Sequence, residues 1–188
     1  MTASKMRIGA TLVLAATLGV CAWTWAQTRP MTNLPVAGYD AATDLPGAHE
    51  LPDPSITYKA VFDIGKAAPK PDEVNPTLIV VARYVNTLAK YGVAADHRKI
   101  AVVFHLEATP IVQNNAAYKS SHNGQDNPNI AIIQSLKKAG VDFRVCGQGV
   151  LAYKVDPKTI LPDIQLDLWA LNTIVTMQMQ GYVHMGGS

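Results

Sequence analysis

Five consecutive apolar residues, "IAVVF" from Ile100 to Phe104, set the strongest limit on the fold. A run this short, rich in β-branched side chains and without alternation, suits a strand covered on both faces, as in a parallel sheet packed between helices. Its neighbours carry the other periods such an architecture needs. "ITYKAVFDI" (Ile56 to Ile64) alternates apolar with polar residues and predicts a further strand. In "NPTLIVVARYVNTLAKYG", Asn75 can cap a helix and Pro76 suits its first position. Leu78, Val81, Val85 and Leu88 then share one face, and Gly92 stops it.

The alternation continues downstream. "PNIAIIQSLKKAG" reads as an amphipathic helix closing on Lys137, Lys138 and Gly140. "VDFRVC" is the next strand, "GQGVLAYK" a turn into a short helix, and "DIQLDLWA" a short strand or loop. "ALNTIVTMQMQG" is a helix and "YVHM" a last strand. Strands joined through helices give a parallel sheet wrapped on both faces, so the fold class is α/β. The polar stretch "TPIVQNNAAYKSSHNGQDNPN" carries a short helical segment around Val112 to Tyr118. Its length is of the kind that goes with function in compact domains.

Ahead of the α/β pattern lie two different segments. Residues 1–26 place Lys5 and Arg7 before an apolar run from Ile8 to Ala22 and end in Thr24-Trp25-Ala26, the layout of a cleaved secretory leader. The apolar run is short for a bilayer span and is broken by Thr11, Thr17 and Gly19. Residues 27–54 have prolines at 30, 35, 46, 52 and 54, which exclude a regular helix or central strand and predict an extended lead-in on the surface. The domain proper is then 55–188. Export implies a periplasmic location, and loss of Lys5 and Arg7 brings the sixteen basic residues level with the fourteen acids. A chain near neutrality argues against a nucleic-acid partner, and after cleavage the leader leaves no membrane segment.

Of the two cysteines, Cys21 leaves with the leader, so Cys146 is unpaired within the chain. An unpaired thiol in an exported protein is reactive, joined to another chain, or buried as a small hydrophobe. Cys146 ends "VDFRV" and precedes Gly147, Gln148 and Gly149. At the carboxyl edge of an open α/β sheet, ligands and reactive groups collect. A helix start there favours negative charge on sulfur, and the glycines leave room for a substrate. His105 ends "IAVVF" and would meet Cys146 at the same edge, as a proton-handling or orienting group, or as a structural histidine tied to backbone. Glu107 and His122 belong to the polar loop and reach the pocket or stay in solvent. His97, His105, His122 and Cys146 lack ligand spacing, so no metal is expected. No P-loop, G-x-S-x-G or dinucleotide motif occurs, so no cofactor is expected either.

The segments "KIAVVFHLEATP", "NPNIAIIQSLKKAGVDFRVCGQGVLAYKV" and "LPDIQLDLWALNTIVTMQMQGYVHM" resemble exported members of the DsrE/DsrF-like family over Tyr58 to Met185, with "VCGQ" the most specific element. The resemblance implies a flavodoxin-like three-layer α/β/α fold, homotrimers or hexamers, and sulfur relay through a persulfide on Cys146. The partner would be a sulfur donor or acceptor protein or a small sulfane-sulfur compound. Only Cys146 carries over from the family by motif; on the reading of the residues themselves, His105 would be catalytic beside it and Gly147, Gln148, Gly149 and Glu107 would bind substrate. Many relatives have Gly after the strand-end His; here Leu106 and Glu107 form a bulkier, more acidic rim. The reading from another class is a non-catalytic oligomeric binding or scaffold module in which Cys146 is simply packed.

Overall fold

The computed structural model describes residues 33–186, so the expected leader lies outside the described residues, as does the start of the lead-in. Five strands alternate with helices: β1 (Tyr58–Ile64), α1 (Pro76–Lys90), β2 (Arg98–Phe104), α2 (Asn115–Ser121), α3 (Ile130–Lys138), β3 (Asp142–Cys146), α4 (Gly147–Ala152), β4 (Ile164–Asp167), α5 (Ala170–Met179) and β5 (Val183–Met185). Among the described residues the strands of the sheet all pair in parallel, in the order β4-β3-β2-β1-β5. This is the expected three-layer, flavodoxin-like α/β/α arrangement.

The strand order explains where the helices go. From β1 to β4 the chain steps one way across the sheet, then jumps back to the far side of β1 to place β5. Parallel crossovers keep one hand, so reversing direction moves the last helix to the opposite face. α1 and α3 accordingly pack on Phe62, Ile64, Val102, Phe104, Phe143 and Val145, where the Phe104 and Phe143 rings stack at 5.9 Å. α5 packs with Ala170, Ile174 and Met177 on the alternate residues Val61, Ala101, Val103 and Cys146. β2 lies in the middle of the sheet and is buried on both faces from Ile100 to Phe104, which is why its sequence does not alternate.

Local signals act as read. The Asn75 side chain accepts from Thr77 N at 2.9 Å with Pro76 in the first turn, fixing the start of α1. The polar stretch differs in detail from the expected helix around Val112 to Tyr118. A 3₁₀ segment occupies Leu106–Val112, and α2 starts at Asn115 because the Asn114 side chain caps Ala117 N at 3.0 Å. Buried Asn127 and Asn129 pin the rest. Asn127 Nδ2 donates to Ile111 O and Gln113 O, both at 2.7 Å, and Asn129 Oδ1 accepts from Asn75 N at 2.8 Å.

Residues 33–57 contain neither helix nor strand, yet they do more than lie on the surface. Val36 is fully buried in the α1 side of the core. It is held there by Asn86 of α1, which accepts from Val36 N at 2.9 Å and donates to Val36 O at 2.8 Å and Tyr39 O at 2.6 Å. Among the described residues, no helix is long and apolar enough to cross a membrane.

Candidate functional site

Strand parity puts the chemistry on one face. Asp63 follows Val61, His105 follows Val103, and His184 of β5 pairs with Val61, so all three lie on the α5 side at the carboxyl edge, the side that also carries Cys146. His105 Nε2 hydrogen-bonds Asp63 Oδ1, and His184 Nε2 stands 3.4 Å from Asp63 Oδ2. The hydrogen bond from His105 is the main cause holding the Asp63 carboxyl below the usual carboxylate range. Burial opposes it, and the attraction of His105 and the contact with His184 add to it. Gly65 makes this possible, because a Cβ there would stand 3.1 Å from His105 Nε2.

Cys146 ends β3 and is 4% exposed. Its Sγ accepts a hydrogen bond from Ala170 N at 3.2 Å. Ala170 opens α5, and Trp169 before it supplies no side-chain cap, so the sulfur satisfies one of the orphan amides of that helix. Negative charge on Sγ is thereby met by a donor and by the positive end of a ten-residue helix.

Two cavities meet here. The inner one, about 310 Å³, is bounded by Cys146, His105, Asp63, Gln148, Trp169 and Leu171 among others. The outer one, about 550 Å³, opens at the end of β1 with Gly65, Lys66, Thr77 and Glu107 on its walls. Asp63, His105, Leu106 and Tyr153 belong to both. The outer cavity lies beyond the carboxyl ends of β1 and β2, the edge at which ligands collect in open α/β sheets.

The residues expected at the site are therefore only partly brought together. Cys146, His105, Gln148 and Gly149 line the inner cavity, while Glu107 lines the outer one. The glycines do something other than expected. Among the described residues the hydrogen bond to sulfur comes from Ala170, not from the Gly147–Gly149 amides. A Cβ on Gly147 would sit 2.8 Å from Asp167 O, and one on Gly149 2.5 Å from Thr109 Oγ1, so both glycines let α4 pack against the protein itself. Nor does the polar loop beyond Thr109 enclose the sulfur. His122 stacks on Tyr118 with ring centroids 3.7 Å apart, in a separate hollow.

Asp63, His184, Tyr153 and the Ala170 amide were not anticipated. Asp63 did carry a signal, as an acid at a buried-face position of a strand otherwise filled by Val61. Among the described residues, no group of three or more His, Cys, Asp or Glu side chains is arranged to hold a metal ion.

Comparison with known proteins bears on the whole domain. No curated protein matches the chain significantly. A solved structure of a protein of unknown function from Methanobacterium thermoautotrophicum is similar in shape, with a TM-score of 0.48 and 15% identity, covering 69% of this chain and 99% of that one. The family model for the DsrE/DsrF-like family matches residues 59–185, so every strand except the first residue of β1 falls inside it. The chain belongs to the DsrE/DsrF-like family, a membership that suggests a role related to sulfur relay.

Proposed function

We propose that the protein is a periplasmic sulfur handler in which Cys146 accepts a sulfane sulfur and passes it on as a persulfide. The observation that carries this reading is the position of Sγ. It faces a cavity while accepting the first amide of α5 at 3.2 Å, so an anionic sulfur or persulfide there has a donor and a helix terminus in place. A cysteine exposed by only 4% also favours a small donor that enters the cavity over one fixed on a flat protein surface. The test is mass spectrometry of the folded protein after exposure to glutathione persulfide. The expected result is one added sulfur on Cys146 and none on Cys146→Ser; a bare Cys146 under conditions that modify a free thiol overturns the proposal.

The low exposure also supports a second reading, a scaffold module in which Cys146 packs with Val61, Ala101, Val103 and Ile174. The same measurement separates the two. Assembly into a homotrimer or hexamer belongs to both. Its support is the outer stripe of α5, where Leu171, Val175 and Met179 are 55, 53 and 85% exposed at helical spacing. Light scattering of the purified protein should give a mass of three or six chains, and a monomer would remove this part. The periplasmic assignment rests on the leader alone and is tested by N-terminal sequencing of the protein recovered from the periplasm.

A further inference from the structure

β2 and β3 pair through Phe104 and Val145, and the backbone stays extended through His105, at φ −154° and ψ −178°. One register step further, His105 and Cys146 are therefore neighbours on adjacent strands, which run about 4.8 Å apart, and both side chains line the inner cavity. On its other side His105 meets Asp63 through Nε2. An ionised carboxylate only accepts, so Asp63 fixes the proton on Nε2 and leaves Nδ1 as the basic nitrogen. Among the described residues the His105 ring hydrogen-bonds through Nε2, which leaves Nδ1 free.

We propose that Asp63 is a positioning residue that sets His105 as the proton carrier of Cys146, so that the three form a relay across the ends of β1, β2 and β3. The inference rests on Cys146 being a sulfur acceptor. In the reaction R–S–SH + Cys–SH → R–SH + Cys–S–SH, the Cys146 thiol passes its proton to His105 Nδ1 and its sulfur attacks the terminal sulfur of the donor. The R–S–S bond breaks, its electron pair leaves with RS⁻, and the imidazolium returns the proton to give RSH. Sulfur moves between two thiols with no net oxidation, so no further reactant is required. His184 backs the second carboxylate oxygen of Asp63.

The other ionisable groups around the two cavities are Lys66, Glu107 and Tyr153; on the same face beside Cys146 stand Asp167, its register partner on β4, and Arg144, which lies 3.4 Å from Asp167 and 2.8 Å from Asp142. α5, which covers this face, carries no titratable side chain. The Arg144–Asp167 pair is common to the wild type and every variant, so the part of the Cys146 pH profile that changes with Asp63 or His105 reports on the Asp63, His105 and His184 set.

The test is the rate of alkylation of Cys146 by iodoacetamide as a function of pH, in the wild type, Asp63→Asn, His105→Gln and the double variant. At neutral pH each single variant should be slower by about a hundredfold, and the double variant no slower than His105→Gln alone. All should converge above about pH 9, where solvent ionises an ordinary thiol. Asp63→Glu should recover part of the neutral rate. An unchanged rate in Asp63→Asn, or a loss of the same size at every pH, overturns the relay. If Asp63→Asn does not fold, His105→Gln decides alone, and a wild-type profile in it overturns the relay too. Sulfur uptake from glutathione persulfide keeps the two ideas apart: uptake with a flat pH response removes only the relay, whereas the expected profile without uptake removes only the sulfur-acceptor role.

Discussion

On the face toward α1 and α3 the sheet presents Phe62, Ile64, Phe104, Phe143 and Val145, all buried, two of them stacked aromatics. On the face toward α5 the same strands present Ala101, Val103 and Cys146, then Asp63 and His105, and earlier on β3 Arg144 with Asp142 at 2.8 Å. The first face is filled by large side chains from several helices. The second is covered by one helix that meets small residues, and the space left over becomes the cavity around Cys146. Stability and chemistry are divided between the two sides of one sheet. That division allows an acid, a histidine and a thiol to be placed at strand ends without disturbing the core.

The largest effects should follow this division. Phe104→Ala removes a fully buried ring from the α1 side and should cost about 3 to 5 kcal/mol in urea denaturation. Cys146→Ser keeps an acceptor for Ala170 N and should cost about 1 kcal/mol or less, while removing all sulfur uptake. A loss in Cys146→Ser as large as that of Phe104→Ala would mean that both faces are core. Asn86→Ala strands the amide of Val36 and the carbonyls of Val36 and Tyr39, and should cost about 2 to 3 kcal/mol. Limited proteolysis of that variant should cut within residues 33–57 first, which would show the lead-in as part of the α1-side core.

The α1 side was largely legible from local pattern, because its determinants are local. Asn75 and Pro76 start α1, Leu78, Val81 and Val85 mark its buried face, and the run from Ile100 to Phe104 declares a strand covered twice. Cys146 as the last residue of β3, and His105 just past β2, were legible for the same reason. The α5 side was less so. Asp63 meets residues 42 and 121 positions further along the chain, and Cys146 takes its donor from 24 positions away. Such partners follow from strand order and register, which one segment's periodicity does not encode. The glycines after Cys146 show the limit well. Their need for room was visible, but its cause, Thr109 and the Asp167 carbonyl, comes from elsewhere in the chain.

A smaller effect separates the faces by acid. The pKa of Asp63 is lowered in the folded protein, so its contribution to stability is complete above the unfolded carboxylate value of about 3.9 and is lost as pH falls through the lower folded value. Asp63→Asn should therefore flatten the fall in stability below about pH 4, measured as the thermal midpoint against pH. An unchanged acid limb would place the acid-sensitive contacts elsewhere.

The smallest change in stability, with a clear change in access, is expected at Leu106. Its φ is +45°, a left-handed conformation that costs a non-glycine residue about 1 to 2 kcal/mol, and its side chain is 60% exposed and so returns little by burial. Thr109 Oγ1 holds the turn by donating to Leu106 O at 2.7 Å. Leu106→Gly relieves the backbone but loosens the unfolded chain by about 1 kcal/mol, so the denaturation midpoint should barely move. Leu106 lines both cavities beside His105, however, and removing it widens the passage toward Cys146. Alkylation by a bulky maleimide should quicken several-fold more than alkylation by iodoacetamide. Equal acceleration of both reagents would mean that Leu106 tunes the sulfur itself, and no acceleration would mean that donors reach Cys146 by the Trp169 side of the inner cavity.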